Sequence, residues 1–76
     1  MDTFSKVKEV ILEKLSCSAE DVKLEASLKD DLGADSLDAV ELIMSLEDAF
    51  GVSVPADKAE ELNTVGDTVA LMDSLR

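Results

Sequence analysis

Asp35-Ser36-Leu37-Asp38-Ala39-Val40-Glu41-Leu42-Ile43-Met44-Ser45-Leu46-Glu47-Asp48-Ala49-Phe50-Gly51 reads as one amphipathic helix with both ends marked. Asp35 suits the N-cap, because its carboxylate can accept from the free N–H groups of a first turn. Gly51 suits the left-handed residue that closes a helix. A helix is therefore predicted from Ser36 to Phe50. At about 100° per residue, Ala39, Leu42, Ile43, Leu46 and Phe50 gather into one broad stripe for a core. Leu37, Val40 and Met44 fall on roughly the opposite side, among Glu41, Glu47 and Asp48. Apolar side chains rimmed by acids form a small docking face. The alternatives are a helix that buries two faces, or exposed apolar residues that carry no meaning.

Outward from this helix the pattern stays helical. From Thr3 to Leu15 the residues Phe4, Val7, Val10, Ile11 and Leu15 recur at three- and four-residue steps, with Asp2 or Thr3 as cap. Residues 16–35 form a long connection. Its leucines Leu24, Leu28 and Leu32 are expected to anchor it into the core, and Ser18-Ala19-Glu20-Asp21 can form a short helical turn. After Gly51, Val52 and Val54 should pack ahead of a brief helix that starts at Pro55 and runs to about Leu62. Thr64 and Asp67 resemble a capping box for a last helix to about Leu75, with Val65, Val69 and Met72 inside. Gly66 is tolerable there because it lies in the first turn. No alternating run rich in Val, Ile or Tyr argues for a sheet. The expected fold is all-α: a four-helix bundle of three longer helices and one short, with a long loop between the first two.

Composition narrows the function. Seventy-six residues make a single domain, 1–76, with a thin margin of buried area. The longest apolar runs, such as Val10-Ile11-Leu12, are too short to span a membrane, and Met1-Asp2-Thr3-Phe4 shows no secretory leader. Cys17 is the only cysteine, so no internal disulfide forms, which is compatible with a reducing compartment. The net charge of −11 is concentrated: residues 30–63 hold ten acids against Lys58, a net of −9. Nucleic acid and anionic membranes are repelled by such a surface, whereas basic protein patches are attracted to it. Acids can also simply keep a small domain soluble, although that needs no clustering.

Ser36 is the residue whose chemistry stands out. At the first helical position its hydroxyl lies outside the bundle, beside unpaired backbone N–H groups and the positive end of the helix dipole, where a phosphate ester is tolerated. A nucleophilic role needs a base within reach, and the chain contains no histidine. Paired carboxylates show no apolar pocket that would raise one of them for acid–base work. An EF-hand counted from Asp30 fails, since its third position is Leu32 and its sixth is Asp35 where glycine is required. No dedicated metal site is expected, only loose surface binding of divalent cations. Read as plain helix-start residues, Asp35 and Ser36 need no function at all.

The run Gly33-Ala34-Asp35-Ser36-Leu37-Asp38, with Val40-Glu41-Leu42, Leu46-Glu47 and Phe50-Gly51, closely resembles acyl carrier proteins of dissociated (type II) fatty-acid synthesis. The resemblance extends through Val54-Pro55, Ala59-Glu60 and Thr64-Val65 and back to the first helix. It implies a four-helix bundle in which Ser36, flanked by Asp35 and Leu37, carries covalent 4′-phosphopantetheine donated by coenzyme A. It further implies a non-catalytic carrier of fatty-acyl thioesters, with Ile43, Leu46, Phe50 and Leu62 as candidates to line an acyl-chain site.

The implied partners are a phosphopantetheinyl transferase, ketoacyl synthases, reductases, dehydratases and acyltransferases. Their basic patches would meet Asp35, Leu37, Asp38, Val40, Glu41, Met44, Glu47 and Asp48. A cytoplasmic monomer is expected, and the end at Arg76 without a long tail suggests a free-standing carrier. Two other readings stay open: a polyketide or D-alanyl carrier with the same arm, and an acidic helical adaptor that carries nothing.

Overall fold

A computed structural model describes residues 2–75; Met1 and Arg76, at the two ends on which the leaderless start and tailless finish rest, lie outside the described residues. The elements are α1 (Thr3–Lys14), a 3₁₀ turn (Ala19–Asp21), α2 (Ser36–Phe50), α3 (Ala56–Glu60) and α4 (Val65–Leu75). Three helices are of 11 to 15 residues and α3 has 5, as the pattern predicts. No strand occurs among the described residues, and the only bridge joins Ser27 to Thr64.

α1 packs against both α2 and α4. Asp2 caps α1 by accepting from the Ser5 N–H at 2.7 Å, and Thr3, within the helix, donates its hydroxyl to Asp73 near the end of α4. Val7, Ile11, Leu42, Leu46, Val65 and Met72 are almost wholly buried at the centre. Each such side chain contributes about 1.5–3 kcal/mol through burial. Phe4 packs only partly buried at the edge of this core, with the Lys8 ammonium 5.9 Å from its ring centre.

The connection between α1 and α2 is pinned, by two of its three expected leucines and by further residues. Leu28 and Leu32 are buried, whereas Leu24 is 53 % exposed. Val22, Ala26 and Ala34 are the additional anchors. The four-residue leucine spacing presumes a helical repeat, and this backbone is not helical there. Its course is set by bonds to the α3–α4 junction: Leu28 N–H to Asn63 O (2.9 Å), Val65 N–H to Ala26 O (3.0 Å) and Gly66 N–H to Leu24 O (2.8 Å). The Leu24 carbonyl is used and its side chain left in solvent. Gly33, at φ +73°, lets the chain turn so that Ala34 N–H reaches back to Leu28 O at 2.8 Å.

α3 is shorter than expected at both ends. Pro55 is extended (φ −61°, ψ 144°) and acts as N-cap, leaving Ala56 as the first helical residue. The N–H groups of Glu61 and Leu62 bond only three residues back, to Lys58 O and Ala59 O, so the helix ends at Glu60. In α4 the capping box forms: Asp67 N–H donates to Thr64 Oγ1, and Thr64 N–H to the Asp67 carboxylate, both at 3.1 Å. Its innermost row is Val65, Thr68 and Met72, with Val69 only half-buried. Thr68 can be buried because its hydroxyl donates to Thr64 O at 3.1 Å, so no polar atom is stranded.

Candidate functional site

Asp35 begins α2 in an extended conformation and accepts from the Asp38 N–H at 2.8 Å. The Asp38 carboxylate returns the contact, accepting from Asp35 N–H at 3.3 Å. Two carboxylates are thus engaged on the helix start, and between them Ser36 stands exposed at the first helical position. The reciprocal role of Asp38 is legible as an acid three residues after the cap, beside its expected place on the docking face.

Ser36 lines one end of a cleft of about 610 Å³. Its lining includes Ala39, Leu42, Ile43 and Glu47 from α2 and Leu28, Val54, Ala59 and Leu62 from elsewhere, with Lys29, Asp30, Glu60 and Asn63 among its charged and polar members. From Ser36 to Glu47 the helix rises roughly 16 Å, so the cleft runs along most of α2. Its volume lies within the range of about 300–1,000 Å³ of sites for small molecules. Ile43 and Leu62, two of the four candidate lining residues, face it. Leu46 is 0 % exposed and sits beneath in the core, and Phe50 packs half-buried with the Lys6 ammonium 4.9 Å from its ring centre; neither reaches the cleft. Leu28, Val54 and Ala59 come from three separate segments, and no local pattern joins them.

Leu37, Val40 and Met44 are 65 %, 55 % and 59 % exposed, with Glu41 and Asp48 exposed beside them. Val40 and Met44 also border the cleft, so the outer face and the cleft share an edge. Glu47 behaves differently from the other rim acids: it is half-buried, and its carboxylate accepts from the Val54 N–H at 2.7 Å.

Among the described residues two ionisable groups depart clearly from their ordinary values, and neither lies at the cleft. The hydrogen bond from the Ser5 backbone, with a further one from its side chain, holds the Asp2 carboxyl below its usual range. Burial, assisted by the charge of Asp21, pushes the Cys17 thiol up. No cluster of three His, Cys, Asp or Glu residues suited to a metal ion occurs among the described residues. No described helix is long and apolar enough to cross a membrane. The arrangement therefore offers an open hydroxyl for attachment and a neighbouring apolar trough, with no imidazole in the chain to activate that hydroxyl.

Comparison with known proteins agrees with this chemistry. Residues 5–72 match the family described as the phosphopantetheine attachment site. An acyl carrier protein candidate from Mycobacterium tuberculosis superposes with a TM-score of 0.88 at 29 % identity, over 95 % of this chain and 96 % of its own. The acyl carrier protein from Enterococcus faecalis superposes with a TM-score of 0.81 at 33 % identity, over the full length of both chains. The two matches share the helical architecture described above. An exposed serine hydroxyl at a helix start, an adjoining trough and a family match across nearly the whole fold lead to one assignment: the chain belongs to the phosphopantetheine-bearing acyl carrier family, whose members carry and do not catalyse.

Proposed function

We propose that this protein carries intermediates of fatty-acid synthesis on a 4′-phosphopantetheine arm joined to the Ser36 hydroxyl. The observation that carries the proposal is the position of Ser36, exposed at the helix start and at the mouth of the cleft. The residues fit the group. The free N–H groups of the first turn and the helix dipole favour an anion there, while the Asp35 and Asp38 carboxylates oppose it. A phosphodiester would thus be retained by its covalent bond and turned outward, as a mobile arm needs. When bound, the arm supplies a thiol on which an acyl group is held as a thioester. Ala39, Ile43, Val54, Ala59 and Leu62 then exclude water from the acyl chain. Leu37, Val40 and Met44, rimmed by Asp35, Glu41 and Asp48, present the surface for basic patches on the transferase and on the synthetic enzymes. Such contacts are steered by charge and release quickly, which suits a carrier that must leave every partner.

Intact-mass analysis after incubation with a phosphopantetheinyl transferase and coenzyme A tests the attachment. One added phosphopantetheine is expected, and none on Ser36→Ala; an addition that survives that substitution refutes Ser36 as the site. Malonyl transfer and condensation by fatty-acid enzymes, compared with charging by a D-alanine ligase or a polyketide acyltransferase, tests the cargo. Transfer should also slow as salt rises, because exposed charges are screened beyond about 8 Å at physiological ionic strength.

A further inference from the structure

Glu47 holds the α2–α3 connection at three points. Its backbone carbonyl accepts from Gly51 N–H (2.8 Å) and Val52 N–H (3.1 Å), and its carboxylate accepts from Val54 N–H (2.7 Å). Among α2 residues that line the cleft it is the one farthest from Ser36, and Val54, the residue it holds, lines the opposite wall. The α2 lining residues nearest to it, Ile43 and Met44, are apolar, so its half-buried carboxylate is costly there unless hydrogen-bonded, and Val54 supplies the bond. The carboxylate and the peptide it fastens both line the cleft, about 16 Å along α2 from Ser36.

We propose that Glu47 sets the length of acyl chain the cleft shelters, by latching Val54 across its distal end. The inference rests on the carrier reading above and adds the residue that limits cargo. While the bond holds, a chain entering from the Ser36 end meets a hydrogen-bonded carboxylate and a fixed peptide, and its further carbons stay in water. Removing the side chain both clears that end and frees Val54 to move outward, while Gly51 and Val52 stay bonded to the backbone carbonyl of residue 47.

The test compares the native protein with Glu47→Ala and Glu47→Gln. Amide hydrogen exchange of Val54 is read first, on the unloaded chain. It should quicken about tenfold or more in E47A, since a bond to a charged acceptor is lost, and only a few-fold in E47Q, which keeps a neutral acceptor. If E47A fails to fold, Glu47→Val, which also removes the acceptor, takes its place in both readings. Each protein is then loaded with saturated acyl groups from butyryl to palmitoyl, and hydroxylamine cleavage of the thioester is timed. In the native protein protection should rise with length and then level off. In E47A the levelling point should move to longer chains, and in E47Q it should stay near the native one. Unaltered Val54 exchange in a folded E47A, or an unaltered levelling point, overturns the inference. Failure to load at Ser36 refutes the carrier reading and the length limit with it, whereas a loaded carrier with an unmoved levelling point refutes the limit alone.

Discussion

Replacing Gly66 by alanine poses a question of sign. Gly66 is the second residue of α4, where Gly→Ala ordinarily stabilises by about 0.4–1 kcal/mol through the unfolded chain and helix propensity. In this fold a Cβ at position 66 would lie 2.9 Å from the backbone oxygen of Leu24, with the Leu24 carbonyl carbon at 3.6 Å. Restoring an ordinary 3.4 Å contact requires a displacement of 3.4 − 2.9 = 0.5 Å, and the atom that must move is backbone. The same oxygen accepts from Gly66 N–H at 2.8 Å, one of the bonds that pin the long connection.

Losing that bond costs about 0.5–1.5 kcal/mol, and a donor left without a partner about 1–3 kcal/mol. The loss outweighs the propensity gain, and G66A is expected to be less stable by about 1–2 kcal/mol. For a domain of this size each kcal/mol lowers Tm by roughly 4–8 °C. Urea unfolding followed by far-UV circular dichroism gives the stability, and amide exchange at residue 66 should quicken beyond the global change. Gly33→Ala is the companion variant, because a Cβ there meets nothing within 4 Å and only its φ of +73° resists. A G66A protein as stable as the native one, or more so, would refute the reasoning: the connection would then be yielding, and not held against α4.

Three further outcomes are expected. Asp35→Ala should lower stability by about 0.5–2 kcal/mol in thermal unfolding, and Asp38→Ala by less, since its return bond is 3.3 Å against 2.8 Å; the reverse order would contradict the capping geometry. The Asp2 carboxyl is held below its ordinary 3.8, so the stability it contributes is complete above that pH and fades as pH falls through the lower folded value. Native protein should therefore exceed Asp2→Asn in urea midpoint at neutral pH, with the gap closing as the solution is acidified below 3.8; a gap that widens refutes the assignment. Alkylation of Cys17 by iodoacetamide should show a pH midpoint above 9.0, because burial disfavours the thiolate; a midpoint at or below that value contradicts the burial.

Helix α2 was legible in full, from the Asp35 cap to Gly51 in the left-handed region at φ +67°, because cap, period and terminator are all local signals. The capping box of Thr64 and Asp67 was legible for the same reason. Leu24 shows where local reading stops. Its hydrophobicity suggests an anchor, but the segment is placed by backbone bonds to Gly66 and Asn63, some forty residues away. Thr68 was overlooked as a core residue because a hydroxyl reads as polar, and only the bond to Thr64 O makes its burial acceptable. Glu47 reads as one more acid of an outer rim, and nothing near it in sequence indicates that its carboxylate turns to Val54.

By itself the sequence determined an all-helical chain, the exposed serine at the start of its longest helix, and an acidic face without a catalytic base. These follow from period, end residues and composition, all of which act over a few neighbours. Tertiary structure alone decided that Ser36 opens onto a trough, which residues form its walls, and which acid lines it farthest along α2 from Ser36. Those properties depend on Leu28, Val54, Ala59 and Leu62 meeting α2 from distant parts of the chain. Their meeting is set by how the long connection and α3 pack, and side-chain pattern carries no measure of the gap they leave.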